Sequence, residues 1–209
     1  IDANKIHVIY NSIDSSRFVP AQEAQRAILR QQFGLPADAV VFCFVGSGFE
    51  RKGLASAIRA IAGTSAWLIV VGQDKAERRY RDLARSLGCE GQIRFLGVQK
   101  ETLPFYQLSD GLLLPTLYDP FPNVILEAMA CGLPVITSES CGGAEFIQQG
   151  QNGFYCDALD INTLKEAVTA IPSLEKNNNM GLAARERVKE ATPEKLSSQL
   201  ISLYQKLLD

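Results

Sequence analysis

Three features are scarce in this sequence: histidine, tryptophan and any excess of one charge. Its 209 residues contain one histidine, one tryptophan and a formal net charge of −2. A chain this close to neutral has no overall positive potential that would attract polyanions. The charge balance therefore argues against nucleic-acid binding and general membrane binding. Any anion site must instead be local, built from a few lysines, arginines and backbone amides.

Long apolar runs and paired cysteines are absent too. No stretch approaches the roughly 18 apolar residues that a membrane span needs, and no signal-peptide pattern is present. The cysteines form no C-x-x-C pair and the single histidine, His7, is far from them in sequence, which argues against a zinc site. Their odd number predicts free or buried thiols in a reducing compartment, so we expect a cytoplasmic protein. The cysteines are Cys43, Cys89, Cys131, Cys141 and Cys156.

The chain does contain enough apolar residues for one domain with a substantial core, at 46% hydrophobic and 21% charged. Short apolar runs of strand length alternate with longer stretches of helical spacing. The runs are 40–45, 67–71, 93–96, 112–114 and 134–137, and the helical stretches are 54–62, 75–87, 103–108 and 124–131. Because the runs are not patterned apolar-then-polar, we predict an α/β fold with a doubly wound, Rossmann-like parallel sheet. Its ligand should lie beyond the carboxyl ends of the strands.

The two ends of the chain differ from this alternating middle. Residues 6–10 are predicted to form an entry strand, followed by a turn and by a polar helix over 21–32. After Asp160 the chain is helical and polar, with helices predicted over 161–171, 173–191 and 193–208. We therefore divide the chain into a linker with its entry strand (1–20), a Rossmann-like domain (21–172) and C-terminal helices (173–209).

A glycine-bearing loop from Gly46 to Gly53 follows the first predicted strand of the sheet. Gly46 and Gly48 let the backbone turn tightly and let a ligand approach it closely. Arg51 and Lys52 stand at the start of the next helix, where their charges oppose the helix dipole unless an anion lies between. The loop therefore predicts a phosphate site, although it matches neither a P-loop nor the G-x-G-x-x-G fingerprint. A plain strand-to-helix turn with solvated cations is the alternative.

The segment from Tyr118 to Val135 carries an isolated pair of carboxylates. Pro122 suits the first turn of a helix that runs through apolar residues and stops before Gly132. Glu127 is the lone carboxylate inside that helix, and a glutamate is rarely buried without a partner. Asp119 lies eight residues earlier, in the loop ahead of the helix. Both carboxylates therefore flank the helix start at the carboxyl edge of the sheet.

Together these motifs resemble the family-4 retaining glycosyltransferases. Asp119-x7-Glu127 resembles that family's E-x7-E signature, and residues 126–135 match its L-E-A-M-A-x-G-x-P-V continuation. Gly46 with Arg51-Lys52-Gly53 resembles its G-x(4)-R-K-G loop, and residues 8–14 resemble its V-I-P-N-G-I-D linker. The resemblance covers residues 6 to about 170. It implies the C-terminal, nucleotide-sugar-binding half of an enzyme with two Rossmann-like domains (GT-B fold).

The resemblance implies a role for each matching residue. Arg51 and Lys52 would neutralise the diphosphate and stabilise the leaving nucleotide, and no metal is implied, because these cations take its place. Asp119 would contact hydroxyls of the donor sugar, and Glu127 would accept hydrogen bonds from the ribose. The other donor-binding positions would be Gly46 and Gly48 in the glycine-bearing loop and Asn123, Val124 and Ile125 at the helix start. Gly97 and Val98 would hold the base of the nucleotide.

Several departures from the family pattern bear on the sugar contacts more than on the fold. Asp119 stands for the usual first glutamate and is one methylene shorter. Pro120 and Pro122 replace glycines that are common in the loop, which makes the loop stiffer and lowers its number of N–H groups. Tyr10 and Ser12 replace the usual proline and glycine of the linker.

The implied reaction is transfer of a sugar from a nucleoside diphosphate sugar, most often a UDP-sugar in this family, to a hydroxyl acceptor with retention. The resemblance points to lipopolysaccharide, polysaccharide or glycolipid synthesis at the inner face of the cytoplasmic membrane, with no cofactor required. The glycan or glycolipid acceptor and any peripheral membrane association would belong mainly to a domain upstream of Ile1. We therefore expect these 209 residues alone to bind donor without transferring sugar.

Two other functions fit the same sheet. One is a sugar-nucleotide or sugar-phosphate epimerase of similar two-domain build, which would want acid and base groups beyond the single histidine. The other is a nucleotide-sugar sensor or pseudoenzyme that binds without transfer, since its binding half would have the same sequence pattern. A donor hydrolysis or transfer assay on the full-length protein discriminates all three.

Overall fold

A computed structural model of the chain describes residues 6–171 and 179–208. Within them, one sheet contains the strands β1 Val41–Val45, β2 Trp67–Val71, β3 Ile93–Gly97, β4 Gly111–Leu114, β5 Val135–Ser138 and β6 Gly153–Cys156. The strand order is β3-β2-β1-β4-β5-β6, and every neighbouring pair is parallel. The direction of winding reverses between β1 and β4, which is the topological switch point where such sheets bind ligands.

Helices cover both faces of this sheet. They are α1 Glu23–Gln32, α2 Leu54–Ile61, α3 Glu77–Ser86, α4 Leu103–Leu108, α5 Asn123–Ala130, α6 Ile161–Ala170, α7 Asn179–Val188 and α8 Pro193–Leu208. Helix α2 packs against α3 and α6, whereas α4 packs against α1 and α5, and α5 also packs against α7. Because crossovers between parallel strands are right-handed, the reversal of strand order places these two groups on opposite faces. The doubly wound fold predicted from the sequence is therefore confirmed. Among the described helices, none is both long and apolar enough to cross a membrane.

The central strands are buried on both faces, which explains why their sequences do not alternate between apolar and polar residues. Every residue of β1, β4 and β5 is buried. Side chains such as Phe42, Phe44, Leu112 and Leu113 are fully inaccessible to solvent. Burying one such side chain contributes roughly 1.5–3 kcal/mol, so these strands form the stable floor on which the loops at the carboxyl edge rest.

A buried ion network fastens α1 to the amino-terminal edge of the sheet. Asp110, just before β4, is fully buried, and its Oδ1 and Oδ2 accept hydrogen bonds from Arg26 Nη2 and Arg30 Nη2, both at 2.6 Å. Its Oδ2 also accepts the Val41 N–H at 2.7 Å. Because a buried charge is tolerated only with partners, this carboxylate makes α1, β1 and β4 depend on one another.

Residues 6–14 form no strand, so the entry strand predicted over 6–10 is wrong. The sheet ends at β3 on one side and at β6 on the other, and this segment pairs with neither edge. Conversely, sequence analysis did not predict β6, which pairs with β5. Because Phe154 and Tyr155 in β6 are only half-buried, no buried apolar run marks this strand.

The C-terminal helices are observed in part. Helix α8 begins and ends at the predicted residues, Pro193 and Leu208. The helix predicted over 173–191 is observed as α7, Asn179–Val188, followed by a turn. Its predicted start and the predicted domain boundary at 172–173 fall on residues 172–178, which lie outside the described part of the chain.

Candidate functional site

Two loops meet at the carboxyl edge of the sheet, at the switch point. We call residues 46–53, after β1, the glycine loop, and residues 115–122, after β4, the acidic loop. They lie side by side because β1 and β4 are hydrogen-bonded neighbours. After β1 the chain continues to β2 on one side of this pair, and after β4 it continues to β5 on the other side. This is the place where a doubly wound sheet leaves a crevice for a ligand.

Backbone contacts join the two loops directly. The Arg51 carbonyl accepts the Thr116 hydroxyl at 2.8 Å and the Leu117 N–H at 2.8 Å. Gly53 has a φ of +76°, and a Cβ there would overlap the Pro115 carbonyl oxygen. Only glycine therefore allows the glycine loop to lie this close to the acidic loop.

The acidic loop places one carboxylate between two cations of the glycine loop. Asp119 Oδ2 accepts hydrogen bonds from Arg51 Nη1 and from Lys52 Nζ, both at 2.7 Å. The side chains of Lys52 and Asp119 are 10% and 8% exposed, whereas that of Arg51 is 51% exposed. The sequence predicts an anion beside these cations, and within the protein that anion is the Asp119 carboxylate. Two cations and one carboxylate leave one net positive charge for a further anion.

Two opposing effects act on the Asp119 carboxyl. Burial alone would raise its pKa, but the hydrogen bonds and charges of Lys52 and Arg51 outweigh burial and hold the pKa below its ordinary value. A carboxyl whose pKa is lowered by folding stabilises the fold above its unfolded pKa of about 4. That stabilisation is lost as the pH falls through the lowered pKa, so Asp119 is a charged partner for both cations at neutral pH.

The glycine loop is held from the β2 side, while its tip stays open. Phe49 is fully buried, and its N–H donates to Asp74 Oδ2 at 2.8 Å. A Cβ on Gly72 would overlap the Gly46 carbonyl, so the loops after β1 and β2 pack backbone against backbone. Gly48 has a φ of +72°, and a Cβ built there meets nothing within 4 Å. The space beside Gly48 can therefore receive a ligand.

One N–H at the start of α2 is already engaged within the protein. Arg51 and Lys52 lie in the turn ahead of the helix, and Gly53 is its N-cap residue. The N–H of Leu54, the first helical residue, donates to the Phe49 carbonyl at 2.9 Å. The side chains of Arg51 and Lys52 therefore add two full positive charges just ahead of a helix start whose first amide is occupied.

Helix α5 begins beside the acidic loop with its first turn uncapped by a side chain. Its N-cap residue is Pro122, which makes no side-chain cap hydrogen bond. Asn123 is exposed and Val124 is half-buried, whereas Ile125 is buried and its N–H donates to the Pro122 carbonyl at 3.1 Å. The amides of Asn123 and Val124 are therefore better placed for a ligand than the amide of Ile125.

The turn after β5 fixes the backbone on either side of the Asp119 carboxylate. The Asp119 carbonyl accepts the Gly142 N–H at 2.9 Å, and the Asp119 N–H donates to the Ser140 carbonyl at 3.3 Å. A Cβ on Gly142 would overlap the Pro120 carbonyl oxygen. Only glycine at position 142 therefore allows the turn after β5 to pack this closely on the acidic loop.

Glu127 has a protein partner that sequence analysis missed. The hydroxyl of Tyr106 in α4 donates to Glu127 Oε2 at 2.7 Å, and Tyr106 is fully inaccessible to solvent. Burial, and secondarily the negative charge of Glu127, raise the pKa of Tyr106 well above its ordinary value. The Tyr106 hydroxyl therefore stays protonated at neutral pH, and its hydrogen bond fixes one carboxylate oxygen of Glu127. The signal available in the sequence was a tyrosine in an apolar helix, which needs a polar partner when buried.

The loop after β3 lies at the same edge of the sheet, two strands from β1. The Gly97 carbonyl accepts the Gly72 N–H at 2.9 Å, so this group is already engaged within the protein. Val98 follows and is 63% exposed. It lies at the carboxyl edge of the sheet, and its contact with a base stays a prediction.

The cysteine thiols take no part in this site as nucleophiles. All five are free and buried. Burial raises the pKa of Cys43 and of Cys131 to about 12 and that of Cys156 to about 11. These thiols stay protonated at neutral pH, and the prediction of buried free thiols is confirmed.

Comparisons with known sequences show which family the chain resembles. The profile of the family described as glycosyl transferases group 1 matches residues 25–195. The lipopolysaccharide core biosynthesis glycosyltransferase LpsE of Rhizobium meliloti (strain 1021) is 32% identical over 201 residues, which cover 95% of this chain and 56% of LpsE. The chain spans about half the length of the curated relatives that it matches.

Solved structures share the fold over nearly the whole chain. The sucrose-phosphate synthase of Thermosynechococcus elongatus has a TM-score of 0.82 and 28% identity, over 97% of this chain and 52% of that one. Anabaena HepE, solved in complex with UDP-glucose, has a TM-score of 0.82 over 96% of this chain and 57% of its own. At 22% identity, HepE shows a likeness of fold alone.

Proposed function

Because the chain belongs to the glycosyl transferases group 1 family, we propose that it is the donor-binding part of a retaining glycosyltransferase. The complete enzyme would transfer a sugar from a nucleoside diphosphate sugar to a hydroxyl acceptor. The observation that carries this proposal is the cluster of Arg51, Lys52 and Asp119 at the switch point of the sheet. Its surplus positive charge lies where a doubly wound sheet receives its ligand.

The proposed chemistry is electrostatic. As the bond between the anomeric carbon and the diphosphate breaks, negative charge builds on the leaving diphosphate. Arg51 and Lys52 would stabilise that charge, because preorganised cations act most strongly where charge develops in the transition state. Asp119 lies 2.7 Å from both cations and would orient them, while its second carboxylate oxygen would bind a hydroxyl of the sugar. We propose that these side chains make a metal cofactor unnecessary.

The remaining donor contacts would come from the neighbouring elements. The open space beside Gly48 would take the phosphates, with Gly46 lying against the Lys52 side chain next to it. The amides of Asn123 and Val124 would face the sugar. Ile125 would contribute less than the sequence pattern suggests, since its amide is engaged with Pro122. Further along the same edge, Glu127 would bind the ribose hydroxyls and Val98 would contact the base.

We propose a UDP-sugar as the donor and a glycan or glycolipid as the acceptor. The donor proposal is supported by the fold shared with HepE, whose structure contains UDP-glucose. The acceptor proposal is supported by the relative LpsE, which is named for lipopolysaccharide core biosynthesis. Lipid-linked acceptors would place the enzyme at the cytoplasmic face of the membrane. Because the chain covers only 56% of LpsE, acceptor contacts would come mainly from the part of such an enzyme that this chain does not span.

A thermal-shift panel tests the proposed function. The chain is melted with UDP, GDP and ADP, with a sugar conjugate of each, and with the matching nucleosides. We expect a nucleoside diphosphate and its sugar to raise the melting temperature, and the nucleoside to raise it less, because a ligand that binds only the folded state stabilises it. If no diphosphate stabilises the chain at millimolar concentration, the proposed function is wrong.

Replacing Glu127 with alanine should weaken nucleoside diphosphate binding by about 1.5–3 kcal/mol, the usual worth of hydrogen bonds to a charged group. Calorimetry on the wild type and the variant measures this change. Glu166→Ala, at an exposed position of α6, is a control for loss of one negative charge. If Glu127→Ala and the wild type bind the nucleoside diphosphate with equal affinity, Glu127 does not contact the nucleotide.

Replacing Tyr106 with phenylalanine should lower the selectivity for ribose while leaving Glu127 in place. The wild type should prefer UDP to 2′,3′-dideoxy-UDP, and the variant should lose about 3- to 10-fold of that preference, because Glu127 loses a charge-assisted hydrogen bond that orients it. Competition binding with the two nucleotides gives the ratio directly. An unchanged ratio would show that Tyr106 only fills the core.

A further inference from the structure

The segment just before the Rossmann-like domain reaches the sugar end of the site through an aromatic cluster of Tyr10, Phe121 and Phe146. The Tyr10 ring centroid lies 5.8 Å from that of Phe121 and 5.3 Å from that of Phe146, and the latter two are 5.4 Å apart. Rings at these separations attract one another beyond the simple burial of their area. Phe121 belongs to the acidic loop, between Asp119 and Asn123, so Tyr10 directly supports that loop.

The cluster is anchored at its far side by polar contacts. The Tyr10 hydroxyl donates to the Glu145 carboxylate. The Arg187 guanidinium of α7 lies 5.2 Å from the Phe146 ring centroid and donates to the Glu145 carbonyl at 3.1 Å. Tyr10 therefore lies between Phe121 of the acidic loop on one side and Phe146 and Glu145 of the turn after β5 on the other.

The next residue along the segment contacts α5 itself. Asn11 Nδ2 donates to Asn123 Oδ1 at 2.7 Å, and Asn123 is the first residue of α5. Because the side-chain oxygen of Asn123 accepts this hydrogen bond, the side-chain NH2 group of Asn123 faces away from Asn11. The same contact holds the first turn of α5, whose N-cap residue, Pro122, supplies no side-chain cap.

We propose that Tyr10 and Asn11 are positioning residues that set the affinity of the site for the sugar part of the donor. The inference rests on the proposed function. The residues proposed to bind the nucleotide, Arg51, Lys52 and Glu127, are held by other contacts, so loss of Tyr10 or Asn11 should not move them. Loosening Phe121 and Asn123 should instead affect only the groups that face the sugar.

The test is calorimetric titration of UDP and of UDP-glucose into the wild type, Asn11→Ala and Tyr10→Ala. The readout is the ratio of the two affinities, which a merely structural role would not change. In each variant we expect UDP-glucose to bind about 3- to 10-fold more weakly, the usual effect of one lost hydrogen bond or ring contact, and UDP to bind within about twofold of the wild type.

Two control variants sharpen the result. Tyr10→Phe keeps the ring and loses only the contact with Glu145, so it should retain most of the wild-type ratio. His7→Ala, at an exposed position of the same segment, should match the wild type for both ligands.

The possible outcomes separate the two proposals. Unchanged ratios in Asn11→Ala and Tyr10→Ala, or equal weakening of both ligands, would overturn the positioning role while leaving the proposed function intact. If the wild type binds neither UDP nor UDP-glucose, the proposed UDP-sugar donor is overturned and the positioning role falls with it.

Discussion

Neutralising Arg51 and Lys52 together, each as glutamine, should weaken UDP binding about 100-fold or more while changing uridine binding less than about threefold. Each cation would make a charge-assisted hydrogen bond to the diphosphate worth about 1.5–3 kcal/mol, and about 1.4 kcal/mol is a tenfold change in affinity. Uridine lacks the diphosphate and loses neither contact. Calorimetry with both ligands measures the two affinities. The wild-type affinity for UDP should also fall as salt is raised, because Coulomb attraction is screened.

The control for this double variant must address Asp119. Its side chain is 8% exposed, and removal of both cations leaves it without these charged partners in a low-dielectric setting. The triple variant that adds Asp119→Asn removes this buried negative charge. It should recover thermal stability without recovering UDP affinity. Equal loss of UDP and uridine binding in a well-folded triple variant would contradict the role of these cations.

Replacing Asp110 with alanine should lower the free energy of unfolding by about 3–5 kcal/mol, the usual cost of removing one partner from a buried ion network. Arg26 and Arg30 would lose the carboxylate that both contact at 2.6 Å, and the Val41 N–H would lose its acceptor. Because a domain is stable by only about 5–15 kcal/mol, this loss is a large fraction of the total. Urea unfolding followed by circular dichroism measures it.

A surface ion pair provides the comparison for Asp110. Asp82, 53% exposed in α3, lies 2.9 Å from Arg85. Asp82→Ala should cost less than about 1 kcal/mol, because exposed pairs contribute little in water. If Asp110→Ala were no more destabilising than Asp82→Ala, the network would not be what fastens α1 to the sheet.

The sheet could be predicted from the sequence because its central strands are buried on both faces. An apolar run such as Trp67–Val71 is visible without any knowledge of its partners, and its bounds are confirmed. Edge elements depend on their neighbours instead. Strand β6 has half-exposed aromatic residues and was missed, whereas residues 6–10 have strand-like composition but pair with neither edge of the sheet.

The candidate site was predictable where the motifs are local and much less so where the contacts are distant in sequence. Arg51, Lys52 and Asp119 were each assigned to one site, but their direct pairing depends on how closely two loops approach after folding. Tyr106 and Glu127 are separated by 21 residues, and Asn11 and Asn123 by 112. No spacing rule in a single sequence relates residues so far apart, so these partners emerged only from the packing of α4 and of the N-terminal segment on α5.

The most direct test of the proposed donor site is a crystal structure of the chain with UDP-glucose bound. We expect diphosphate oxygens within about 2.7–3.2 Å of the Arg51 and Lys52 nitrogens, at hydrogen-bonding distance. We also expect ribose hydroxyls on the Glu127 oxygen that Tyr106 leaves open, and the glucose beside the first turn of α5. A nucleotide bound away from the switch point, with the pairs between Asp119 and both cations unchanged and no contact to Glu127, would contradict the proposed donor site.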